Sequence, residues 1–431
     1  MKIYLDTVGC RLNQSEIEIY ARQFRAAGHM LVADPAEADL TVINTCTVTT
    51  AAAADSRNKI RNAARAGSSQ IVVTGCWSEL EPQNAAALPK VSQVISNLDK
   101  DHLVSEILQI PAEVFDLEPV ARQPIPGARL RTRAFIKVQD GCDNRCTFCI
   151  TTIARGQGRS HSIAEVLADV NMAIEGGAQE IVLTGVHLGS WGQDFDHPQK
   201  LKDLIQIILD ESKPARLRLS SLEPWDIDED FFTLWKDSRL ARHLHLPLQS
   251  GCAATLKRMA RKTTPQAYAS LLEAARAAIP EVAITTDVIV GFPGETEDEF
   301  AESLAFIRKM AFAGGHVFTY SERPQTAAAK MPNSVPHPVR KVRNSQLRGL
   351  FEQAAAVYQA RFVGHALSVL WETATILAAN EWTLNGLTDN YLRVTAQAPK
   401  GLWNRITLVR ITGFNSKGLV AEIQDFSRGD S

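Results

Sequence analysis

Strand and helix patterns alternate along most of this chain, and that alternation restricts its fold more than any other feature of the sequence. From about Ala134, short apolar runs rich in β-branched residues are separated by helical patterns, for example over residues 163–175 and 201–210. The predicted strands are AFIKVQ, EIVLTG, RLRLSS, HLHLPL, AITTDVIVG and GGHVFTY. Such a series of βα units predicts a partial (βα)6 barrel over residues 134–362, with its loops gathered at one end.

A smaller α/β region precedes the barrel, in residues 1–110. Predicted helices over residues 13–27 and 47–66 separate short β-branched runs, a pattern that predicts a parallel sheet. Its predicted strands are KIYLDT, LTVIN and QIVVT. Residues 111–133 contain four prolines and little periodicity, so we predict that they form the linker between the two domains.

The C-terminal region, residues 363–431, differs from the rest of the chain. It follows a long predicted helix over residues 339–362 and consists of short strands interrupted by Gly and Asn. The predicted strands are ALSVLWET, YLRVTA, RITLVRI and LVAEI. A run of short strands without intervening helices predicts a small β-barrel.

The bulk composition narrows the function classes. No apolar run approaches the roughly 18 residues that span a bilayer, and the N-terminus lacks the apolar core of a secretory signal, so we expect a cytoplasmic protein without a membrane partner. Seven cysteines are an odd number in a reducing compartment, which favours metal ligation or redox chemistry over a disulfide framework. The net charge of −2 predicts no general affinity for nucleic acid, so any such site must be a local patch.

Cys142, Cys146 and Cys149 form a C-x3-C-x2-C motif directly after the first predicted strand of the barrel. A loop with this spacing lets three thiolates converge, and thiolates are soft ligands that favour zinc or iron–sulfur clusters. A structural zinc site normally uses four protein ligands. Three cysteines without a fourth nearby therefore indicate a cluster with one iron left open for a substrate. A zinc site completed by a distant residue such as His161 is the alternative.

Cys10, Cys46 and Cys76 are far apart in the sequence, but each follows a predicted strand of the N-terminal sheet, in DTVGC, INTC and VTGC. The carboxyl ends of parallel strands lie at one edge of a sheet, where ligands bind. We therefore expect these thiols to meet and to hold a second cluster, again with three protein ligands. Burial as small apolar side chains and a zinc site are the alternatives.

The C-x3-C-x2-C motif and its surroundings resemble the radical S-adenosylmethionine (SAM) superfamily. The resemblance implies a 4Fe-4S cluster whose open iron chelates SAM, and electron transfer into SAM that yields a 5′-deoxyadenosyl radical. It also implies SAM contacts from the aromatic residue before the last cysteine and from polar or glycine residues after later strands. In this sequence those positions are Phe148, Thr184, Gly185, Ser221, Glu223, Gln249, Ser250 and Gly291. Loop packing and ordinary βα turns are the alternative interpretations.

Two thiol trios followed by a small β-barrel resemble the methylthiotransferases over essentially the whole chain. The N-terminal domain resembles that family's auxiliary-cluster domain, and the tail, with GLTDNYLRV at residues 386–394, is similar to its RNA-binding TRAM barrel. Of three subfamilies, the one that modifies threonylcarbamoyladenosine in tRNA is the most similar. The segments that carry this similarity are GCRLNQSE, VINTCTVT, FIKVQDGCDNRCTFCI, IVLTGVHLGSWG, RLRLSSLEP and HLHLPLQSGC.

This resemblance implies a tRNA-modifying transferase that methylthiolates C2 of N6-threonylcarbamoyladenosine next to the anticodon. It implies two 4Fe-4S clusters and SAM as cofactors, and the tRNA anticodon loop and an electron donor such as flavodoxin or ferredoxin as partners. Methylthiolation of isopentenyladenosine in tRNA, modification of a ribosomal-protein aspartate, and a zinc-dependent RNA-binding protein are the alternatives. Thr152 stands where relatives commonly carry proline, which leaves the fine substrate contacts open.

Two groups of basic residues are candidates for contacts with RNA phosphates, which position a nucleic acid without reading its sequence. The first group has the spacing i, i+1, i+4 and i+5, which predicts one face of a helix. The two groups are Lys257, Arg258, Arg261 and Lys262, and Arg340, Lys341 and Arg343. A solvated helix face is the alternative for each group.

Iron content separates the cluster hypothesis from the zinc hypothesis. Two 4Fe-4S clusters give about eight irons per chain, whereas a zinc protein gives one or two zinc ions and no iron. We expect metal analysis of anaerobically reconstituted protein to give about eight irons per chain. Zinc without iron would contradict the hypothesis.

Overall fold

The computed structural model describes residues 1–111, 115, 126, 132–378 and 380–423. Most of the predicted linker, residues 111–133, and the last residues of the predicted C-terminal barrel, 424–431, lie outside the described residues. The chain forms two compact units. The first comprises Met1–Arg145, Cys149–Gly177 and Leu183–Gln199, and the second comprises Cys146–Phe148, Ala178–Val182 and Lys200–Ser431.

The N-terminal region is a parallel sheet with helices on both faces. Its strands are β1 (Lys2–Thr7), β2 (Met30–Leu31), β3 (Leu40–Thr45), β4 (Gln70–Gly75) and β5 (Val91–Val94), in the order β2-β1-β3-β4-β5. Its helices are α1 (Arg11–Ala26), α2 (Thr50–Ala66), α3 (Cys76–Leu80), α4 (Pro82–Ala86) and α5 (Leu103–Leu108). Successive residues of a strand point to opposite faces of the sheet. In β3, Val42 therefore packs in the same core as Phe24, and Ile43 packs in the core on the other face with Ile60.

The central region contains the predicted series of βα units. Its strands are β6 (Arg133–Lys137), β7 (Gln139–Asp140), β8 (Arg159–Ser160), β9 (Glu180–Thr184), β10 (Leu217–Leu219), β11 (His243–His245), β12 (Ala283–Val290) and β13 (Gly314–Thr319). Its helices are α6 (Ile150–Arg155), α7 (Ile163–Glu175), α8 (Leu201–Glu211), α9 (Ala253–Arg258), α10 (Pro265–Ala278), α11 (Glu297–Met310) and α12 (His337–Ala360). Several helices begin where the sequence caps them; for example, Ser162 and Glu165 form a reciprocal capping box at the start of α7.

The six main strands of this region form two three-stranded sheets, β10-β9-β6 and β11-β12-β13. Parallel bridges between Leu217 and Leu240 and between Ser221 and His245 join the β10 and β11 segments. This arrangement confirms the predicted partial barrel. No helix of the described residues is both long and apolar enough to cross a membrane.

The C-terminal region is a closed five-stranded barrel, as predicted. Its strands are β14 (Ala366–Ala378), β15 (Glu381–Thr388), β16 (Arg393–Ala398), β17 (Ile406–Asn415) and β18 (Gly418–Ile423), in the order β14-β15-β16-β18-β17. Trp371, Leu384 and Val409 are fully buried in its core. Strand β15 was not predicted, because the Asn-Gly pair in its middle is typical of a turn.

A buried ion cluster joins the C-terminal barrel to strand β10 within the second unit. Arg216 and Arg218 both pair with the buried Glu180, at 3.3 and 2.7 Å. The two guanidinium groups also donate hydrogen bonds to barrel carbonyls, Arg216 to Leu387 at 3.1 Å and Arg218 to Thr388 at 3.0 Å. The barrel is therefore held by buried charges as well as by apolar packing.

Removal of one of these charges should destabilise the protein. Breaking a buried ion pair typically costs about 3–5 kcal/mol, because the remaining charge is left without compensation. We expect Arg218→Met to lower the free energy of unfolding by an amount of this order, measured by urea unfolding followed by circular dichroism. Lys202→Met is the control, because its partner Asp230 is 68% exposed and a surface pair contributes only about 0–1 kcal/mol. Equal effects of the two substitutions would contradict this view.

Candidate active site

Cys10, Cys46 and Cys76 lie at the carboxyl edge of the N-terminal sheet, as their positions after β1, β3 and β4 predict. Cys10 directly precedes α1, Cys46 directly follows β3, and Cys76 is the first residue of α3. Burial raises the pKa of the Cys46 thiol to about 11, and the neighbouring Cys10 and Cys76 thiolates add to that rise. The structure thus brings the three thiols within electrostatic reach of one another.

Gly9 allows the first two of these loops to approach each other closely. Its φ angle is +107°, and a Cβ atom at this position would lie 2.5 Å from the Cys46 Sγ atom. Only glycine fits a backbone of this conformation with a sulfur atom at that distance. The Gly-Cys pair at residues 9–10 is therefore required by the geometry of the thiol trio.

A buried arginine contacts this trio. The Arg155 Nε–H donates to the Cys76 Sγ atom at 3.3 Å, and its Nη atoms donate to Asn13 Oδ1 at 2.7 Å, Asp140 Oδ1 at 2.9 Å and Glu16 Oε1 at 3.1 Å. Arg155, Glu16 and Asp140 are each at most 2% exposed. The guanidinium group is therefore held on all sides by fixed acceptors.

Lysines complete the charge balance around this arginine. Lys100 pairs with Glu16 at 2.5 Å and with Asp140 at 3.3 Å, and the buried Lys137 pairs with Asp101. Burial by itself would raise the pKa of Glu16, but the attraction of Lys100, Arg155 and Lys137 lowers it to about 2. The stabilisation from this carboxylate is therefore complete above the ordinary pKa of glutamate and is lost only as the pH falls through about 2.

The loop that carries Cys142 is clamped by hydrogen bonds within the first unit. The Cys142 N–H donates to the Gly156 carbonyl at 2.9 Å. Gly141 has a φ angle of +68°, and a Cβ atom there would overlap the Gln157 carbonyl oxygen. The Thr152 hydroxyl donates to the Cys149 Sγ atom at 3.4 Å. Thr152 is thus a donor to a thiol of the motif.

Helices that follow one cysteine of each trio pack against each other. Helix α3 begins at Cys76, Cys149 caps the N-terminus of α6, and α3 contacts α6 within the first unit. Arg155 is the last residue of α6, so the chain that leaves Cys149 provides the donor to Cys76. One short helix therefore connects the C-x3-C-x2-C motif to the N-terminal trio.

Cys146 belongs to the second unit, where another buried arginine approaches it. The Arg261 Nη1 atom lies 3.7 Å from the Cys146 Sγ atom, and Nη2 pairs with Glu223 at 2.6 Å. The Arg261 guanidinium also lies 4.4 Å from the Trp225 ring centroid. Burial would lower the pKa of Arg261, but the attraction of Glu223 raises it. Glu223, a predicted SAM contact, thus neutralises the arginine beside Cys146.

Three of the other predicted SAM contacts have half-buried positions at strand ends. Gly185 follows β9, Ser221 pairs with His245 in a parallel bridge, and Gln249 pairs with Val288 in another. Gln249 has a φ angle of +72°, a strained conformation for a residue other than glycine, and such strain is typical of functional sites. These positions are compatible with ligand contacts.

Phe148 lies in an apolar cluster. Its ring meets the Phe292 ring edge-on at a centroid distance of 6.4 Å and packs with Met259 and Tyr320. Loop packing, the alternative considered for Phe148 above, therefore describes its contacts in this structure.

The remaining three predicted SAM contacts are packed closely against other protein atoms. The Thr184 side chain is buried and its carbonyl accepts the Val138 N–H. Ser250 is also buried, and its hydroxyl accepts the Cys252 N–H at 3.2 Å. The Arg340 side chain fills the space that a Cβ atom on Gly291 would occupy. Thr184, Ser250 and Gly291 therefore stay predicted SAM contacts, with these protein neighbours around them.

The first predicted group of RNA contacts needs correction. The four residues do not share a helical face, because α9 ends at Arg258 and Ala260 adopts a left-handed φ of +54°. Arg261 is buried against Glu223, and Arg258 pairs with Glu299. Only Lys257 and Lys262 of this group are exposed.

In the second group, Arg343 is buried and pairs with Glu295 at 2.7 Å and with Glu297 at 3.0 Å. The Arg340 guanidinium is used within the protein, where it donates to the Tyr320 and Val335 carbonyls. Lys341 is exposed. Arg261 and Arg343 are buried and cannot reach a phosphate in this conformation, so they are removed from the candidate RNA contacts. Arg258 and Arg340 are half-buried and stay predicted contacts.

Four residues of the network beside Cys76 were not predicted from the sequence as site residues: Asn13, Glu16, Lys100 and Arg155. One signal pointed to Arg155, which lies six residues after Cys149 in the segment that continues the motif. Glu16 and Lys100 gave no signal, because a charged residue in an amphipathic pattern normally faces solvent. Their pairing depends on contacts between segments that are far apart in the sequence.

The donor set of the N-terminal trio fits an iron–sulfur cluster. Three thiols converge from three strand ends, and a cationic donor stabilises the thiolate form that such a cluster requires. Within the described ranges, no group of three or more His, Cys, Asp or Glu side chains is close enough to hold a single metal ion. A 4Fe-4S cluster distributes its thiolates over separate irons and therefore accepts a wider spacing than one ion does.

Two family models match the chain. The model of the Radical SAM superfamily matches residues 136–307, which include the C-x3-C-x2-C motif. The model described as Uncharacterized protein family UPF0004 matches residues 2–96, which include Cys10, Cys46 and Cys76. Together with the partial barrel, the first match defines the protein as a radical SAM enzyme.

Similar proteins match almost the whole chain. Threonylcarbamoyladenosine tRNA methylthiotransferase MtaB of Bacillus subtilis (strain 168) is 36% identical over 416 residues, which cover 94% of this chain and 92% of that protein. tRNA-2-methylthio-N(6)-dimethylallyladenosine synthase of Geobacillus thermodenitrificans (strain NG80-2) is 32% identical over 445 residues, which cover 98% of this chain and 83% of that protein. The chain therefore belongs to the radical SAM methylthiotransferase family, which uses SAM and 4Fe-4S clusters.

Among solved structures, the radical S-adenosylmethionine methyltransferase TsrM from Kitasatospora setae is similar, with a TM-score of 0.58. The similarity covers 76% of this chain and 75% of TsrM at 14% sequence identity. At this identity the similarity concerns the fold alone. It agrees with the predicted α/β architecture of the radical SAM core.

Substitution of Gly141 should prevent formation of the loop that carries Cys142. In Gly141→Ala, the new Cβ atom would overlap the Gln157 carbonyl, and the positive φ angle would be strained. We expect iron content after anaerobic reconstitution to fall from about eight to about four per chain, because only the other trio keeps its geometry.

Gly349→Ala is the matched control for this substitution. Gly349 lies in α12, and a Cβ atom there meets nothing within 4 Å. Alanine in a helix interior is more stable than glycine by roughly 0.5–1 kcal/mol, so iron content should not change. A Gly141→Ala protein with full iron content would show that the clamp is not needed.

Proposed function

We propose that this enzyme methylthiolates C2 of N6-threonylcarbamoyladenosine next to the anticodon of tRNA, giving the 2-methylthio derivative. The observation that carries the proposal is the presence of two thiol trios connected by one helix, in a chain that is 36% identical to a threonylcarbamoyladenosine tRNA methylthiotransferase. We further propose that it acts in the cytoplasm, with reducing electrons from a flavodoxin or ferredoxin.

The six cysteines of the two trios are the proposed cluster ligands. Cys142, Cys146 and Cys149 would hold the cluster that binds SAM. The auxiliary cluster would be held by Cys10, Cys46 and Cys76. When bound, SAM and the two clusters supply the radical and the sulfur that an inert aromatic C–H bond requires.

The protein's own residues orient and shield these groups. Gly141 and the Gly156 carbonyl fix the loop of Cys142, and Thr152 donates to Cys149. Arg261 with Glu223 lies beside Cys146, where it can orient a ligand thiolate. The proposed SAM contacts are the aromatic residue of the motif loop and polar or glycine residues at later strand ends: Phe148, Thr184, Gly185, Ser221, Glu223, Gln249, Ser250 and Gly291.

The three-part division of the chain is also proposed, with an N-terminal auxiliary-cluster domain (1–110), a radical SAM core (134–362) and a TRAM-like barrel (363–431). The proposed phosphate contacts are three exposed lysines and two half-buried arginines: Lys257, Lys262, Lys341, Arg258 and Arg340. Such contacts position the anticodon loop, whose unpaired bases can be turned into a pocket.

Isopentenyladenosine in tRNA is the second candidate substrate. It is supported by the 32% identity to tRNA-2-methylthio-N(6)-dimethylallyladenosine synthase over 98% of the chain. The identity to the threonylcarbamoyladenosine enzyme is higher, at 36%. We therefore prefer threonylcarbamoyladenosine, and the choice between the two bases is an outcome of the experiment below.

The reconstituted enzyme should be incubated with SAM, sulfide, reductant and tRNA that carries either modified adenosine, and the digested nucleosides analysed by mass spectrometry. We expect the 2-methylthio product from threonylcarbamoyladenosine at a rate at least tenfold above that from isopentenyladenosine. Product from isopentenyladenosine alone would establish the second candidate. Neither product, with both clusters present, would reject the proposed function.

Cys46→Ala tests the separate roles of the trios in the same assay. The substitution removes a proposed ligand of the auxiliary cluster and leaves the C-x3-C-x2-C motif intact. We expect no methylthiolated product, whereas formation of 5′-deoxyadenosine from SAM continues. Loss of both activities would contradict separate roles. Cys252→Ala, which changes a buried cysteine outside both trios, is the control and should retain product formation.

A further inference from the structure

Arg155 is shared by the surroundings of both thiol trios. It ends helix α6, which starts after Cys149, and it pairs with Asp140, two residues before Cys142. Its Nε–H contacts the Sγ atom of Cys76 at 3.3 Å. Within the part of the chain that the structure describes, Arg155 is the side chain that donates a hydrogen bond to Cys76.

We propose that Arg155 is a positioning residue that raises the reduction potential of the cluster on Cys10, Cys46 and Cys76, through the hydrogen bond from its Nε–H to the Cys76 sulfur. The inference rests on the proposed function, because it takes these three cysteines as cluster ligands. It assigns to Arg155 an electrostatic role that is separate from the stability of the fold.

The direction of the effect follows from charge. One-electron reduction adds a negative charge to the cluster and its thiolates, and a cationic hydrogen-bond donor stabilises the more negative state. Arg155 and Cys76 are both buried, so water does not screen their attraction as it would at the surface. Removal of the guanidinium group therefore lowers the reduction potential.

Three features make arginine suited to this position. Its guanidinium does not lose its proton, whereas a lysine amine is readily neutralised by burial. Its planar fork can donate to the sulfur and to carboxylates at the same time, as it does here with Glu16 and Asp140. The two carboxylates hold Nη1 and the Asn13 side-chain oxygen holds Nη2, which together aim the Nε–H at Cys76. A lysine at this position has no such geometry.

The experiment isolates the auxiliary cluster in the full-length chain. The parent protein carries Cys142→Ala, Cys146→Ala and Cys149→Ala, so that only the N-terminal trio can bind iron. Arg155→Met and Arg155→Lys are then introduced separately. After anaerobic reconstitution, iron content is measured, and the midpoint potential is determined by redox titration with electron paramagnetic resonance as the readout.

We expect the parent protein and both Arg155 variants to bind about four irons per chain. At a fixed potential, Arg155→Met should lower the ratio of reduced to oxidised cluster by about tenfold. For a one-electron couple this ratio corresponds to about 59 mV. Arg155→Lys should give a smaller change in the same direction. An unchanged midpoint potential in a fully loaded Arg155→Met protein would overturn the proposal.

Arg216→Met in the same parent controls for the loss of a buried arginine in general. Arg216 is 4% exposed and pairs with Glu180, and it has no contact with a cysteine. Its substitution should leave the midpoint potential within the error of the titration. An equal shift in this control would reject a specific role for Arg155.

A second measurement does not depend on whether the Arg155 variants fold. Arginine labelled with 15N in its guanidinium group is incorporated into the parent protein, and pulsed electron paramagnetic resonance of the reduced cluster is recorded. We expect a 15N coupling that is absent from the unlabelled protein, because Nε lies within hydrogen-bond distance of a ligand sulfur. A spectrum without this coupling would refute the hydrogen bond.

These results are distinguishable from a failure of the proposed function. If the parent protein binds no iron, Cys10, Cys46 and Cys76 are not cluster ligands, and both proposals fail. If the parent binds iron and the potential does not respond to Arg155, the proposed function stands and only this inference is rejected.

Discussion

The buried network of Arg155, Lys100, Glu16 and Asp140 is the interaction on which the geometry of the candidate active site depends. Removing an ion from water costs several kcal/mol, so Arg155, Glu16, Asp140 and Lys100 can be buried only as a mutually compensated group. Because the arginine belongs to the helix after Cys149, a shift of that helix would break several of these bonds together. The same network that stabilises the first unit therefore fixes the approach of α6 to the N-terminal trio.

The second unit uses buried charge in a similar way. Glu180 with Arg216 and Arg218 holds the C-terminal barrel to β10 through hydrogen bonds to barrel carbonyls. A charged group that must satisfy several fixed acceptors permits one arrangement, whereas apolar surfaces tolerate sliding. If the barrel binds RNA as proposed, the bound RNA has a defined position relative to β10.

The amphipathic periodicities predicted most elements well because they depend on local burial. The helix predicted over residues 163–175 is α7 with the same bounds. Two predictions of secondary structure were wrong for local reasons. The left-handed backbone of Ala260 separates Arg261 from α9, so the predicted helical face does not form. An Asn-Gly pair that resembles a turn lies inside strand β15. Arg261 and Arg343 failed as predicted RNA contacts for a different reason, because the sequence does not show which cation has a buried carboxylate partner.

The sequence by itself determined the two thiol trios, the α/β units that carry them and the family to which the chain belongs, because cysteine spacing and strand periodicity are local properties of the chain. The meeting of Cys10, Cys46 and Cys76 was also predictable, since parallel strands end at one edge. Only the tertiary structure decided that Arg155 donates to Cys76, because this bond joins residues 79 positions apart. Its strength comes from burial, which no short segment of sequence specifies.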